Sequence, residues 1–251
     1  YTMNTLTMLM ALMLGLLTVP GGKNSSLAKE NGYVINLDRA EKLEKMTYSS
    51  LFSKAGIIVL EDTDESLLGK VDKLEVCDNN LYVLEKGRGL FLFNKQGKFI
   101  KMIGRKGKGP GEYIDPDDIS IDRENKKIYV LDSQTQNVLK YSSNGTFESS
   151  FKLENKGTRS TFIQPFKNAL YTNLYTFDES GKRFLLSKVD VTNGKRISFQ
   201  FEASQYNKGW NELFSTNQHT FISGPTGNPK FMQIFMDTIF EITPKGIKPY
   251  I

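Results

Sequence analysis

The 251-residue sequence is poor in the residues that usually announce chemistry: one cysteine, one histidine and one tryptophan. A single cysteine, Cys77, excludes an intramolecular disulfide, and the strand-like run Lys73-Leu-Glu-Val-Cys77 reads it as a small buried hydrophobe. A single histidine, His219, excludes any site built on two imidazoles; a zinc ion there would need carboxylates or Cys77 as companions. No Gly-x-Ser-x-Gly elbow is present, so Ser-His-Asp catalysis has no recognisable nucleophile. Charge of one sign is never concentrated. The 33 basic and 28 acidic residues interleave, and the net +5 forms neither a basic helix nor a known nucleic-acid motif, so no nucleic-acid partner is expected. Long apolar runs are also missing, with one exception at the N-terminus.

That exception is residues 1–22. Between Thr5 and Val19 stand Leu6, Met8, Leu9, Met10, Leu12, Met13, Leu14, Leu16 and Leu17 without a charge, followed by Pro20-Gly21-Gly22 and the first lysine, Lys23. The stretch is shorter than the roughly 20 residues that a spanning helix needs, and it reads as the apolar core of an export signal. Only Tyr1-Thr-Met-Asn4 precedes it, so the sequence is expected to begin inside its gene or to start at Met3. An exported protein of the periplasm or cell surface follows, touching the membrane only through this segment. Residues 23–54 read as a linker carrying a strand at 33–37 and a short helix or turn around Leu43, Met46 and Leu51.

The rest of the chain repeats. Short apolar strands and polar turns recur, each unit ending on a turn glycine: Gly97, Gly145, Gly194 and Gly246, spaced 48, 49 and 52 residues apart. A period of roughly 40–50 residues holding several short strands is that of a propeller blade. The fold class is therefore all-β, a β-propeller of four-stranded antiparallel blades over residues 55–251, with blades at about 70–104, 112–154, 160–202 and 205–251. The runs Leu81-Tyr-Val-Leu84 and Ile128-Tyr-Val-Leu131 are apolar without alternation, as strands covered on both faces must be. Asn144-Gly145 and Asn193-Gly194 predict hairpins, Asn-Gly being the strongest short signal for a type I′ turn. An open ring leaves a bare strand edge, so residues 33–37 or 55–60 are expected to pair into the last blade unless the ring continues.

The segment Pro116-Asp-Asp-Ile-Ser-Ile-Asp-Arg-Glu-Asn-Lys-Lys-Ile-Tyr-Val-Leu-Asp132 resembles an NHL-type propeller repeat. With Ile103-Gly-Arg-Lys-Gly-Lys-Gly-Pro-Gly-Glu-Tyr113 and Asp237-Thr-Ile-Phe-Glu-Ile242, the chain from about residue 33 onward is similar to the exported six-bladed β-propeller proteins of Bacteroidota. The resemblance implies six blades, about two of which are missing here because family members continue past the Asp-Thr-Ile segment. Many members also carry a lipid-anchor cysteine after the signal core, where this chain has Pro20-Gly21-Gly22. It implies a fold and an address far more than an activity.

Three groups of residues are candidates for chemistry. The loop Gly104-Arg-Lys-Gly-Lys-Gly-Pro-Gly-Glu112 holds four glycines and three cations; Pro110 after Gly109 rules out a Walker phosphate loop. Its glycines fit a tight crossover between blades, and Arg105, Lys106 and Lys108 are a candidate anion-binding rim. Glu112, Asp115, Asp117, Asp118 and Asp122 form an acidic stretch without the spacing of a calcium loop, which reads as turn formation and pairing with nearby cations. Tyr206 and Trp210 are candidates to stack on a sugar or peptide. No catalytic constellation, metal site or cofactor site is recognisable. The sequence thus reads as a non-catalytic scaffold for a protein or glycan ligand, the alternative being a metal-dependent lyase or lactonase-like hydrolase that uses the propeller channel.

Overall fold

A computed structural model describes residues 47–174, 180–206, 220–224, 227–233 and 236–250. The apolar segment 1–22, the strand expected at 33–37, Trp210 and His219 lie outside the described residues. Four antiparallel four-stranded sheets, each in plain sequence order, make four blades in a propeller arrangement. Blade I is β1 (Lys73–Cys77), β2 (Asn80–Glu85), β3 (Gly89–Asn94) and β4 (Phe99–Ile103). A small parallel pair, β5 (Arg105–Lys106) and β6 (Glu112–Tyr113), bridges to blade II: β7 (Pro116–Asp122), β8 (Lys127–Asp132), β9 (Asn137–Ser142) and β10 (Phe147–Lys152). Blade III is β11 (Ile163–Phe166), β12 (Ala169–Asn173), β13 (Phe184–Asp190) and β14 (Arg196–Glu202). Blade IV is β15 (Phe221–Ile222), β16 (Lys230–Phe231), β17 (Phe240–Thr243) and β18 (Gly246–Pro249). Among the described residues the only helical pieces are one turn at Tyr48–Leu51 and a 3₁₀ turn at Ala203–Gln205.

The first strands of successive blades lie against one another, β1 on β7 and β7 on β11, which puts them on the inner side of the ring. Sheet alternation then explains the apolar runs. Tyr82, Leu84, Leu90 and Leu92 face blade II and meet Ile119, Ile128, Val130 and Leu139. Their neighbours Leu81, Val83, Phe91 and Phe93 face the other way and are covered by Ile58, Leu60, Leu68 and Val71. Both faces of blade I are therefore buried, with Val83, Leu84, Leu90 and Phe91 wholly removed from solvent. The next joint buries Tyr129, Leu131 and Val138 against Ile163, Leu170 and Val189. The third is aromatic, built on Phe201, Phe221, Phe231 and Phe240.

The outer hairpins differ from the type I′ expectation. Asn144 does not adopt a positive φ; only Gly145 does, at +78°. The Gly145 amide donates to the Ser142 carbonyl and the pairing of β9 with β10 slips just after the turn, the pattern of a type I turn closed by a left-handed glycine and a bulge. Asn94 to Gly97 repeats it, with the Asn94 side chain accepting from the Gln96 and Lys98 amides. The turn with two consecutive positive φ values is instead Lys167-Asn168, at +47° and +60°, which holds no glycine.

Residues 55–60 form no part of the sheet of blade IV and lie against blade I. The contact there is a lock. The Glu61 amide donates to the Gly97 carbonyl at 2.8 Å, and the Glu61 carboxylate accepts from the Phe99 amide at 2.8 Å. Between blades II and III the same pair recurs: the Glu154 amide to the Gly194 carbonyl at 2.9 Å, and the Arg196 amide to the Glu154 carboxylate at 2.9 Å. A Cβ on Gly97 would stand 1.9 Å from the Val59 carbonyl oxygen, and one on Gly194 would stand 1.9 Å from that of Lys152. Val59-Leu60-Glu61 thus holds, relative to blade I, the place that Lys152-Leu153-Glu154 at the end of β10 holds relative to blade III.

Candidate functional site

The crossover from β4 to β7 carries the three cations singled out in the sequence. Gly104 (φ +68°) has no room for a side chain: its Cβ would lie 2.5 Å from the Tyr113 ring and 2.6 Å from the Tyr141 hydroxyl. Tyr113 is buried and ties the loop down, its hydroxyl donating to the Ile103 carbonyl at 3.0 Å and accepting from the Leu90 amide at 3.2 Å. The loop then closes on Glu112. Its carboxylate accepts from the Gly109 amide at 2.8 Å and from Arg105 Nε at 2.6 Å, and these partners, the backbone amide first, hold the carboxyl below its ordinary range. Arg105 is 81% exposed, so that ion pair orients the side chain and adds little stability. Lys106 and Lys108 are exposed and meet no carboxylate among the described residues. A rigid loop therefore presents two unpaired ammonium groups and one guanidinium that is only partly engaged.

The acidic stretch after the loop is dismantled by the fold. Asp118, fully buried on β7, accepts from Lys73 Nζ of blade I at 2.8 Å and from the Ile163 amide of blade III at 2.8 Å. One carboxylate thus joins three blades near the axis. Asp117 pairs with Lys86 of blade I at 3.2 Å and accepts from the Ser133 hydroxyl, while Asp122 caps the turn through the Asn125 amide at 3.0 Å. Burial pushes the Asp117 carboxyl up, and the Asp115 and Asp132 charges push the same way against Lys86. Glu75 of β1 sits between Lys73 (3.9 Å) and Arg123 (3.2 Å), and burial raises its carboxyl as well. Asp115 alone of the five keeps a buried oxygen without a partner. Among the described residues no three histidine, cysteine, aspartate or glutamate side chains gather as a metal site.

Of the two aromatic candidates, Tyr206 does not join the loop, and Trp210 lies outside the described residues. Tyr206 follows the 3₁₀ turn at the other end of the chain, half-buried, with its ring edge-on to Phe201 at 5.8 Å as part of the joint between blades III and IV. Sequence reasoning passed over Lys73, Glu75, Lys86, Asp132 and Ser133, whose polar character marks strand and turn positions without showing that blades I and II bring them together. Cys77 is buried in the joint between blades I and II, as a small hydrophobe would be.

Residues 32–251 match a family described as a domain of unknown function, DUF4934. No curated protein matches the chain. Among solved structures, a protein of Bacteroides fragilis NCTC 9343 described as exported superposes with a TM-score of 0.60 at 23% identity, over 76% of this chain and 52% of that one. A member of the DUF4221 family from Bacteroides vulgatus gives 0.43 at 10% identity over 70% and 56%, and virginiamycin B lyase from Staphylococcus aureus gives 0.43 at 14% over 78% and 59%. The first likeness is one of fold, and the chain spans about half the length of that protein.

Proposed function

This chain belongs to the DUF4934 family, and from that premise we propose that it is an exported, non-catalytic propeller that holds an anionic face of a protein or glycan partner on its rim. The observation that carries the reading is the loop between blades I and II: glycine-packed, tied down by Tyr113 and Glu112, and presenting Lys106 and Lys108 with Arg105 beside them. A preformed loop loses little entropy on binding, which is what a recognition surface requires. The axial carboxylates serve a different end. Asp118 and Glu75 are already held by Lys73 and Arg123, which suits joining blades better than turning over a substrate. Export is supported by the apolar run between Thr5 and Val19.

The ring has six blades in this reading. Its support is the lock at Glu61: residues 55–60 stand where the outer strand of a preceding blade would stand, so a further blade is to be built on them. Reading the coding sequence past Ile251 tests this directly. About two more units of 40–50 residues are expected, and a stop codon immediately after Ile251 would sink it.

The binding proposal is tested on a glycan array and on an acidic peptide array, with the full chain and the Lys106→Met/Lys108→Met double variant. Signals on anionic probes should fall about tenfold in the variant, roughly the 1.4 kcal/mol of two weakened charge contacts. Equal signals for the two proteins would overturn the assignment to this loop.

A further inference from the structure

The joint between blades III and IV lacks, among the described residues, the lock made at Gly97 and Gly194, and it leaves a cleft. At Gly246 a Cβ would meet nothing within 4 Å, whereas the same probe at Gly97 and Gly194 strikes backbone. The chain after β14 reads Ala203-Ser204 where the two locks read Leu-Glu. The unfilled space, about 480 Å³ and open on one side, is walled by Tyr171, Lys188, Ser198 and Gln200 of blade III and by Gly246 and Ile247 of blade IV.

The blade III wall is an ordered row. Tyr171 on β12 is paired directly with Lys188 on β13, and Lys188 directly with Ser198 on β14, so the three share one face; Gln200, two residues on, shares it too. Their polar groups are largely unspent. Lys188 is half-buried and meets no carboxylate among the described residues, and the Tyr171 hydroxyl has no hydrogen-bond partner among them. Gln200 Nε2 donates to the Ser198 hydroxyl at 2.5 Å, while Gln200 Oε1 is buried and unpartnered. Turning the amide over leaves its nitrogen unpartnered instead, so one amide group awaits a ligand in either orientation. A buried polar group left unpaired carries a desolvation penalty that a ligand can recover.

We propose that this cleft is a binding site for a hydroxylated carboxylate, a uronic acid unit of a glycan or a free sugar acid. Lys188 meets the carboxylate. Ser198, Tyr171 and the Gln200 amide exchange hydrogen bonds with ring hydroxyls, and Phe201 with Ile247 covers the C–H face of the ring. A phosphate fits less well, because it offers no hydroxyl array to the Gln200 amide. A neutral sugar leaves Lys188 unmatched, and an apolar ligand leaves the whole row unpaired. The site rests on blades III and IV alone and stands or falls independently of the rim loop.

The test is isothermal titration of the full chain with trigalacturonate, galacturonate, galactose and inorganic phosphate. Trigalacturonate or galacturonate should bind at least tenfold more tightly than galactose or phosphate. Tighter binding of the trimer identifies a glycan as the source, and equal binding identifies a free sugar acid. Lys188→Met, which keeps the aliphatic stem, should weaken uronate binding about tenfold, and Gln200→Leu should weaken it several-fold. Lys95→Met, which removes an equal charge from an exposed turn of blade I, should leave it unchanged. Unfolding curves establish that each variant is folded. No uronate binding at 10 mM, or binding that Lys188→Met and Lys95→Met change equally, overturns the proposal.

Discussion

The joints at Gly97 and Gly194 and the one at Gly246 solve the same problem by different means. In the first two, a neighbouring backbone, at Val59 in one and at the end of β10 in the other, runs so close that only glycine fits, and a glutamate stitches both sides with two hydrogen bonds. In the third, no such stitch is made among the described residues and the blades are held by rings: Phe201 lies 5.7 Å from Phe231, nearly parallel, and 4.4 Å from Phe240. A polar lock fixes geometry, whereas aromatic burial supplies adhesion and tolerates a gap beside it. The largest effect should therefore come from breaking the third joint at its centre. Phe231 is wholly buried, and Phe231→Ala should cost about 3–5 kcal/mol, read as a shift of the urea midpoint. A loss below 1 kcal/mol would mean that blade IV does not depend on this packing.

The glycines themselves differ in the same way. Gly194→Ala must hold φ near +75° and push aside the Lys152 carbonyl, and should cost about 3 kcal/mol. Gly246→Ala meets only its own backbone strain, φ +136° in open space, and should cost about half as much. Equal losses in urea unfolding would remove the structural distinction between the joints.

How much of this was legible in the sequence follows from the same contrast. The four blades were, because each strand's pattern is local: Leu81-Tyr-Val-Leu84 is apolar throughout since both its faces are covered, and Gly97, Gly145, Gly194 and Gly246 mark the outer hairpins one by one. The turn type was misread at Asn144-Gly145, where the Ser142 carbonyl accepts the glycine amide and leaves Asn144 with an ordinary φ. The glycine-rich loop was legible as a tight crossover, because four glycines with a proline admit few other uses. The locks were not. Leu60-Glu61 and Leu153-Glu154 look like ordinary strand ends, and their role depends on which hairpin of another blade lies beside them. Nor was the row Tyr171, Lys188 and Ser198, whose members come from three strands and meet only through register.

The smallest expected effects test the electrostatics of the locks against those of the axis. Glu154→Gln keeps the shape but weakens the acceptor for the Arg196 amide, and should cost about 1 kcal/mol at pH 7, reduced by the partial exposure of the carboxylate. That amide, with Lys156 assisting, holds the Glu154 carboxyl below its ordinary value of 4.5. Its contribution is therefore complete above the unfolded-state value and fades as pH falls below about 4.5, so the gap between wild type and Glu154→Gln should close between pH 6 and pH 3. Glu75 on the axis has the opposite sign. Burial raises its carboxyl, so the folded state binds that proton more tightly than the unfolded chain, and the associated stability disappears as pH rises through the raised value. Between pH 4 and pH 7, Glu75→Gln should accordingly gain on wild type while Glu154→Gln loses ground. Urea midpoints across that range decide it, and parallel pH profiles for the two variants would show that perimeter and axis do not differ in the way their hydrogen bonds and burial require.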